Sequence, residues 1–200
     1  MFIIGITGGT GSGKTSALRV LRSLGALTLD CDAVYHELLS GSKELIAELD
    51  ARFPGVAQDG VIDRKMLGGI VFADPSALLD LNAITHKYIS AEIDGRIADW
   101  EAQGGRVTAV DAIALIESRR SEKCDVVVGV IAPVETRIGR VMRRDGISRE
   151  QAEMRVSAQK PDSFYREHCD HILESNNSNI KKFNAKCREL FTKLLTAVDT

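Results

Sequence analysis

The 26 Lys and Arg side chains of this 200-residue chain are balanced by 28 Asp and Glu, for a net charge of −2. That argues against a dedicated nucleic-acid binder, which shows a basic excess, so no nucleic-acid partner is expected. Hydrophobic residues at 44% and charged residues at 27% fit a globular chain with a real core, long enough for one domain carrying an inserted subdomain.

The four cysteines, Cys31, Cys124, Cys169 and Cys187, form no C-x-x-C pair. Reduced thiols in a cytoplasm are a better reading than a disulfide framework. The opening apolar stretch is short and lacks the basic leader of a signal peptide. No run approaches a membrane span, so no membrane partner is expected. The chain is expected to act as a monomer.

Phe2-Ile3-Ile4-Gly5-Ile6 reads as a buried strand of a parallel sheet, apolar and β-branched. GGTGSGKT follows at residues 8–15 and matches G-x-x-x-x-G-K-S/T at Gly8, Gly13, Lys14 and Thr15. Glycines let successive N–H groups turn inward around a phosphate. Residues Gly9, Thr10, Gly11, Ser12, Gly13, Lys14, Thr15 and Ser16 are therefore the candidate nucleotide site. Lys14 supplies charge to the β and γ phosphates, and the Thr15 hydroxyl is the candidate Mg²⁺ ligand. Leu18, Leu21 and Leu24 at helical spacing predict a helix whose N-terminus adds its own attraction for anions. ATP and Mg²⁺ are the expected cofactors.

Gly25 is expected to end that helix, and Ala26–Leu29 to form a second strand leading to Asp30-Cys31-Asp32. The two aspartates have three readings by themselves: charges that end a strand, metal ligands, or the base of a phosphotransfer site. If strand geometry continues, the pair lies on an extension of that strand, with Asp30 a step before Asp32. The thiol between two carboxylates reads as inert packing. About seventy-five residues follow with no convincing strand. They read as helices, most clearly from Pro75 to Trp100, where apolar residues step by three or four.

Arg106–Val110 reads as a third strand ending at Asp111, Asp125–Ile131 as a fourth, and His171–Leu173 as a fifth. With helices between them, a parallel α/β sheet follows. Sites in such sheets lie at the carboxyl ends of the strands, where the loop, Asp30–Asp32 and Asp111 fall. After the fourth strand come Arg137, Arg140, Arg143 and Arg144, a break at Asp145-Gly146, and a capping box from Ser148 to Gln151. Arg155 lies on the next helix. In isolation this is a solvated arginine-rich helix pair; beside a phosphate loop it reads as a lid bringing positive charge. His168-Cys169-Asp170-His171 resembles a metal cluster only superficially, since neighbours on a strand point to opposite faces.

These features resemble the dephospho-coenzyme A kinases along nearly the whole chain. IGITGGTGSGKTSALRVLRSLGALTLDCD is similar to the family's opening, DGVIDRKMLGGIVFADP and LNAITH to its acceptor domain, RVMRRDGISREQAEMRVSAQ to its lid, and CDHILESNN to its adenine-side loop. Arg64, Phe72, Leu81, Asn82 and His86 fall on family-like acceptor positions, and Arg140, Arg144, Arg155 and Gln159 on lid positions. Four places depart from the pattern: Lys87 follows the histidine, Ile113-Ala114 replace Pro-Leu, Asn176-Asn177 replace Asn-Gly, and Arg137 replaces a common glutamine.

The resemblance implies a P-loop nucleoside triphosphate hydrolase fold: a five-stranded parallel sheet flanked by helices. Residues 1–32 and 104–200 would form the kinase core, 33–103 a helical acceptor insert, and 137–160 a lid. It implies ATP-dependent phosphorylation of the ribose 3′-hydroxyl of dephospho-coenzyme A. Asp32 would be the base, and Lys14 and Arg140 would balance charge on the transferring group. Arg144 and Asn176 would join the ATP site, and Arg64, His86 and Asp32 the acceptor site. Asp30 is a supporting residue at best, and Asp111 a weaker metal candidate. His86 reads equally well as a helix-packing histidine. The alternative is a nucleoside or nucleotide kinase of the same fold with another acceptor. A regulatory GTPase is disfavoured, because neither an Asn-Lys-x-Asp guanine motif nor a D-x-x-G switch is present.

Overall fold

The computed structural model describes residues 1–176 and 179–196. In chain order these form β1 (Phe2–Thr7), α1 (Lys14–Ser23), β2 (Leu27–Asp30), α2 (Cys31–Gly41), α3 (Lys43–Arg52), β3 (Ala57–Gln58), β4 (Val61–Ile62), α4 (Arg64–Ala73), α5 (Pro75–Ala102), β5 (Val107–Asp111), β6 (Val126–Ile131), α6 (Val134–Asp145), α7 (Arg149–Ser157), α8 (Asp162–His168), β7 (His171–Glu174) and α9 (Ile180–Thr196). Contacts divide them into two compact units, residues 1–29 with 100–200, and residues 30–99.

The first unit is built on a five-stranded parallel sheet in the order β2-β5-β1-β6-β7. β1 lies at its centre, with Ile4 level with Ala109 on one side and Val126 on the other. All six residues of β6, VVVGVI, are buried, as expected of a strand covered by helices on both faces. Ile4, Ile6, Leu21, Val128, Leu173 and Phe191 share one core, each contributing about 1.5–3 kcal/mol by leaving water. The sheet and its flanking helices are those the sequence predicts, with strand ends shifted by a residue. α1 stops at Ser23, and Gly25 turns the chain with φ of 90°.

α6 and α7 form a helix pair with a small core of Ile138, Val141, Ala152 and Val156. Gly146 closes α6, and the Ser148 side chain and the Gln151 carboxamide cap α7 reciprocally. Such a box stabilises the helix start by about 1 kcal/mol.

The second unit has its own core, which includes Leu45, Leu49, Phe53, Ile62, Leu67 and Leu81. The expectation of no strand here is corrected. β3 and β4 pair antiparallel, Ala57 with Ile62 and Gln58 with Val61. The turn between them is Asp59-Gly60, with φ of 51° and 77°. Two positive φ values suit the right-handed twist of a two-residue hairpin, and Asp-Gly is a favoured pair for it.

Candidate active site

The loop 8–15 joins β1 to α1, and its shape depends on small residues. Gly8 has φ of 143°, and a Cβ there would lie 2.1 Å from the Val130 carbonyl oxygen of β6. Gly13 takes a left-handed conformation at the N-cap of α1, where no side chain caps the helix. The first amides of α1 are thus left to an external anion, in line with the positive end of the helix dipole. Ser12 Oγ is buried without a hydrogen-bond partner, a second polar group left for a ligand. The Lys14 ammonium donates to the Gly8 carbonyl at 3.1 Å and lies 4.0 Å from Asp111 Oδ1. Thr15 is exposed in the first turn of α1. A hydroxyl at Thr15 and a carboxylate at Asp111 are hard oxygen donors of the kind Mg²⁺ takes, so the residues present fit that ion. Ser16 donates its amide to the Gly13 carbonyl at 2.9 Å.

The outer side of this loop is held by arginines. Arg140 Nη1 donates to the carbonyls of Gly11 and Ser12 at 2.9 and 3.0 Å, and Nη2 to Ser175 Oγ at 3.0 Å. Partial burial and the neighbouring Arg143 lower its pKa from the ordinary guanidinium value. Arg144 Nη2 donates to Thr10 Oγ1 at 3.3 Å. It also binds Asp145, whose carboxylate raises the Arg144 pKa through that hydrogen bond. Arg155 reaches the same Asp145 carboxylate at 2.8 Å. Arg140 and Arg144, one turn apart, thus both touch the loop, whereas Arg155 is tied to Asp145.

Two residues left out of the candidate site bond directly to its loop. Arg137, only 4% exposed, donates from Nε to the Thr10 carbonyl at 3.0 Å and from Nη2 to Gln159 Oε1 at 2.7 Å. Gln159 Oε1 also accepts the Thr10 amide at 2.6 Å. Arg137 was marked only as one of several arginines after the fourth strand, and because buried arginines are rare its burial against the loop was not foreseen; Gln159 was marked by the resemblance alone. Asn176 is exposed just past Ser175, at the end of β7; Asn177 lies outside the described residues.

In the unit of residues 30–99, the two aspartates divide their tasks. Asp30 ends β2 and caps α2, accepting the amides of Asp32 and Ala33 at 2.9 and 3.2 Å. Asp32 is exposed in the first helical turn. This corrects the picture of a continuing strand, because the Asp30 side chain nucleates a helix there instead. Arg64, exposed at the first position of α4, lies 3.5 Å from His36 Nε2. His86 sits on α5 with an accessible ring, and partial desolvation lowers its pKa below 6.5. Phe72 is 86% exposed, whereas Leu81 is in the core. Lys87 binds Glu48 Oε2 at 2.6 Å. The Ile113 carbonyl accepts the Thr7 hydroxyl at 3.1 Å.

In HCDH, Asp170 Oδ2 accepts the Val127 amide at 2.7 Å and His168 Nδ1 lies 2.9 Å from the Phe164 carbonyl, so both have structural partners.

A family model described as dephospho-CoA kinase matches residues 2–182. The chain is 37% identical over 195 residues to the dephospho-CoA kinase of Geobacter sulfurreducens, covering 96% of this chain and 98% of that one. It is 32% identical over 201 residues to that of Corynebacterium glutamicum, covering 100% of both. Among solved structures, TT1252 from Thermus thermophilus aligns with a TM-score of 0.80 at 32% identity, covering 98% of this chain and 97% of the other. The dephospho-CoA kinase from Campylobacter jejuni aligns at 0.70 and 25% identity, covering 96% of each chain. A shikimate kinase from Acinetobacter baumannii, at 18% identity and 0.54, covers 99% of this chain and 93% of its own and shares the fold alone. With its P-loop kinase fold and matches spanning nearly its whole length, the chain belongs to the dephospho-CoA kinase family.

Proposed function

We propose that this protein transfers the γ phosphate of ATP to the ribose 3′-hydroxyl of dephospho-coenzyme A, giving coenzyme A and ADP, the last step of coenzyme A synthesis. Family membership over residues 2–182 carries this reading. The uncapped start of α1 and the loop of glycines before it support the ATP half.

The loop amides and Lys14 bind the β and γ phosphates and hold the γ phosphorus for in-line attack. Lys14 and Arg140 offset charge on the transferring group, and Arg144 and Asn176 complete the ATP site. Thr15, with Asp111 as a further oxygen donor, would hold Mg²⁺, which when bound would neutralise phosphate charge. Asp32, exposed in the first turn of α2, accepts the proton of the attacking hydroxyl. Arg64 and His86 take the phosphates of the acceptor. The four cysteines form no disulfide, and burial pushes the Cys124 and Cys169 thiols up to about 11. Reduced, unreactive thiols suit a cytoplasmic enzyme.

The test is ADP release with dephospho-coenzyme A compared with adenosine, cytidine monophosphate and pantetheine phosphate. Stimulation by dephospho-coenzyme A alone is expected. Stimulation by another acceptor in its place would select the nucleoside or nucleotide kinase reading.

A further inference from the structure

Thr10 has all three of its polar groups held by the helix pair that follows β6. Its carbonyl accepts from Arg137, its amide donates to Gln159, and its hydroxyl accepts from Arg144. The Arg137 guanidinium and the Gln159 carboxamide also bond to each other, closing a ring of three hydrogen bonds around one loop residue. We propose that Arg137 and Gln159 are positioning residues for nucleotide binding: together they clasp Thr10 and fix the phosphate loop to α6 and to the chain leaving α7.

The geometry gives the clasp a consequence for phosphate binding. In a trans peptide the C=O and the following N–H point in opposite directions. Arg137 holds the Thr10 carbonyl, so the Gly11 amide is turned away from that guanidinium. Arg140 does the same for the Gly13 amide by holding the Ser12 carbonyl. The arginines therefore orient amides they do not touch. The fit is close: a Cβ on Gly9 would lie 2.1 Å from Arg137 Nη2 and 2.8 Å from Gln159 Oε1. A glycine at position 9 is thus needed by the clasp itself. Charge alone is not the feature that matters. A planar fork reaches two acceptors from one buried side chain, which the single ammonium of a lysine cannot reproduce.

The inference rests on the nucleotide half of the proposed function and is independent of the acceptor. ADP affinity, measured by calorimetry without acceptor, should fall about tenfold in Arg137→Met and in Gln159→Met, within the range of coupled neighbours. The double variant should be no more than about twofold weaker than the weaker single, because either change opens the same ring. KM for ATP should rise in the same variants while KM for the acceptor stays unchanged. A merely structural role would lower Tm without that split or that non-additivity. Arg137→Lys replaces Arg137→Met in the cycle if the buried position does not tolerate methionine. Multiplying fold-changes, or unchanged ADP affinity in Gln159→Met, would overturn the clasp. Failure of the wild-type protein to bind ADP would instead overturn the nucleotide reading.

Discussion

The phosphate loop and the insert contrast in how their candidate residues are held. Around the loop, Gly8, Gly9, Ser12 and Arg137 are buried, and backbone carbonyls are gripped by side chains from α6. In the insert, Asp32, Arg64 and His86 are exposed on helices, each with its backbone in an ordinary helical position. The difference teaches where each half of the chemistry stores its precision. A triphosphate is read by main-chain amides and fixed charge, so the loop must be rigid before the ligand arrives. In the proposed function the acceptor is read by surface side chains, which leaves the underlying helices free to be ordinary.

Changes at the loop should therefore act through the backbone, and changes in the insert through charge. Gly8→Ala forces a Cβ against the Val130 carbonyl at a φ of 143°. It is expected to cost about 3 kcal/mol of stability. By displacing the loop it should weaken ADP binding about 100-fold, with Tm and ADP titration as the readouts. Wild-type affinity and Tm in this variant would break the claim that the loop is preset.

A smaller effect is expected at His86. Desolvation lowers its pKa, so the imidazole gains charge at a lower pH than an ordinary histidine does. A cation there favours an acceptor phosphate. Acceptor KM should fall about threefold more for the wild type than for His86→Gln between pH 7.5 and about pH 5.5. Parallel pH profiles would assign His86 to helix packing. Lowering pH also protonates the acceptor, so the difference between the two proteins is the quantity to read.

The sequence makes the sheet legible because its strands are continuous apolar runs and the loop has four fixed positions. Backbone-based recognition leaves such traces: Gly8 and Gly13 are glycine for conformational reasons visible in the motif. Arg137 stood out only as one arginine of a basic run, since its burial against a loop more than a hundred residues earlier has no local signature. The β3–β4 hairpin was legible in principle from Asp59-Gly60, but its two-residue strands are too short for a periodic signal. The residues upstream of Asp32 are strand-like and invite the reading that the strand continues through it. The N-capping chemistry of Asp30 decides otherwise, and Asp-x-Asp can be read either way. Arg64 and His86 stood out only through the family resemblance, as single exposed side chains on helices have no spacing rule of their own.

The division of labour between loop and insert is tested most directly by Asp32→Asn, with ADP affinity and turnover measured on the same preparation. If the loop binds the nucleotide and Asp32 takes the proton, ADP affinity stays at the wild-type value. Turnover with dephospho-coenzyme A then falls by about 10²–10⁴, the usual worth of a general base. Full turnover in this variant would remove Asp32 as the base, and a matching loss of ADP affinity would contradict the separation of the two roles.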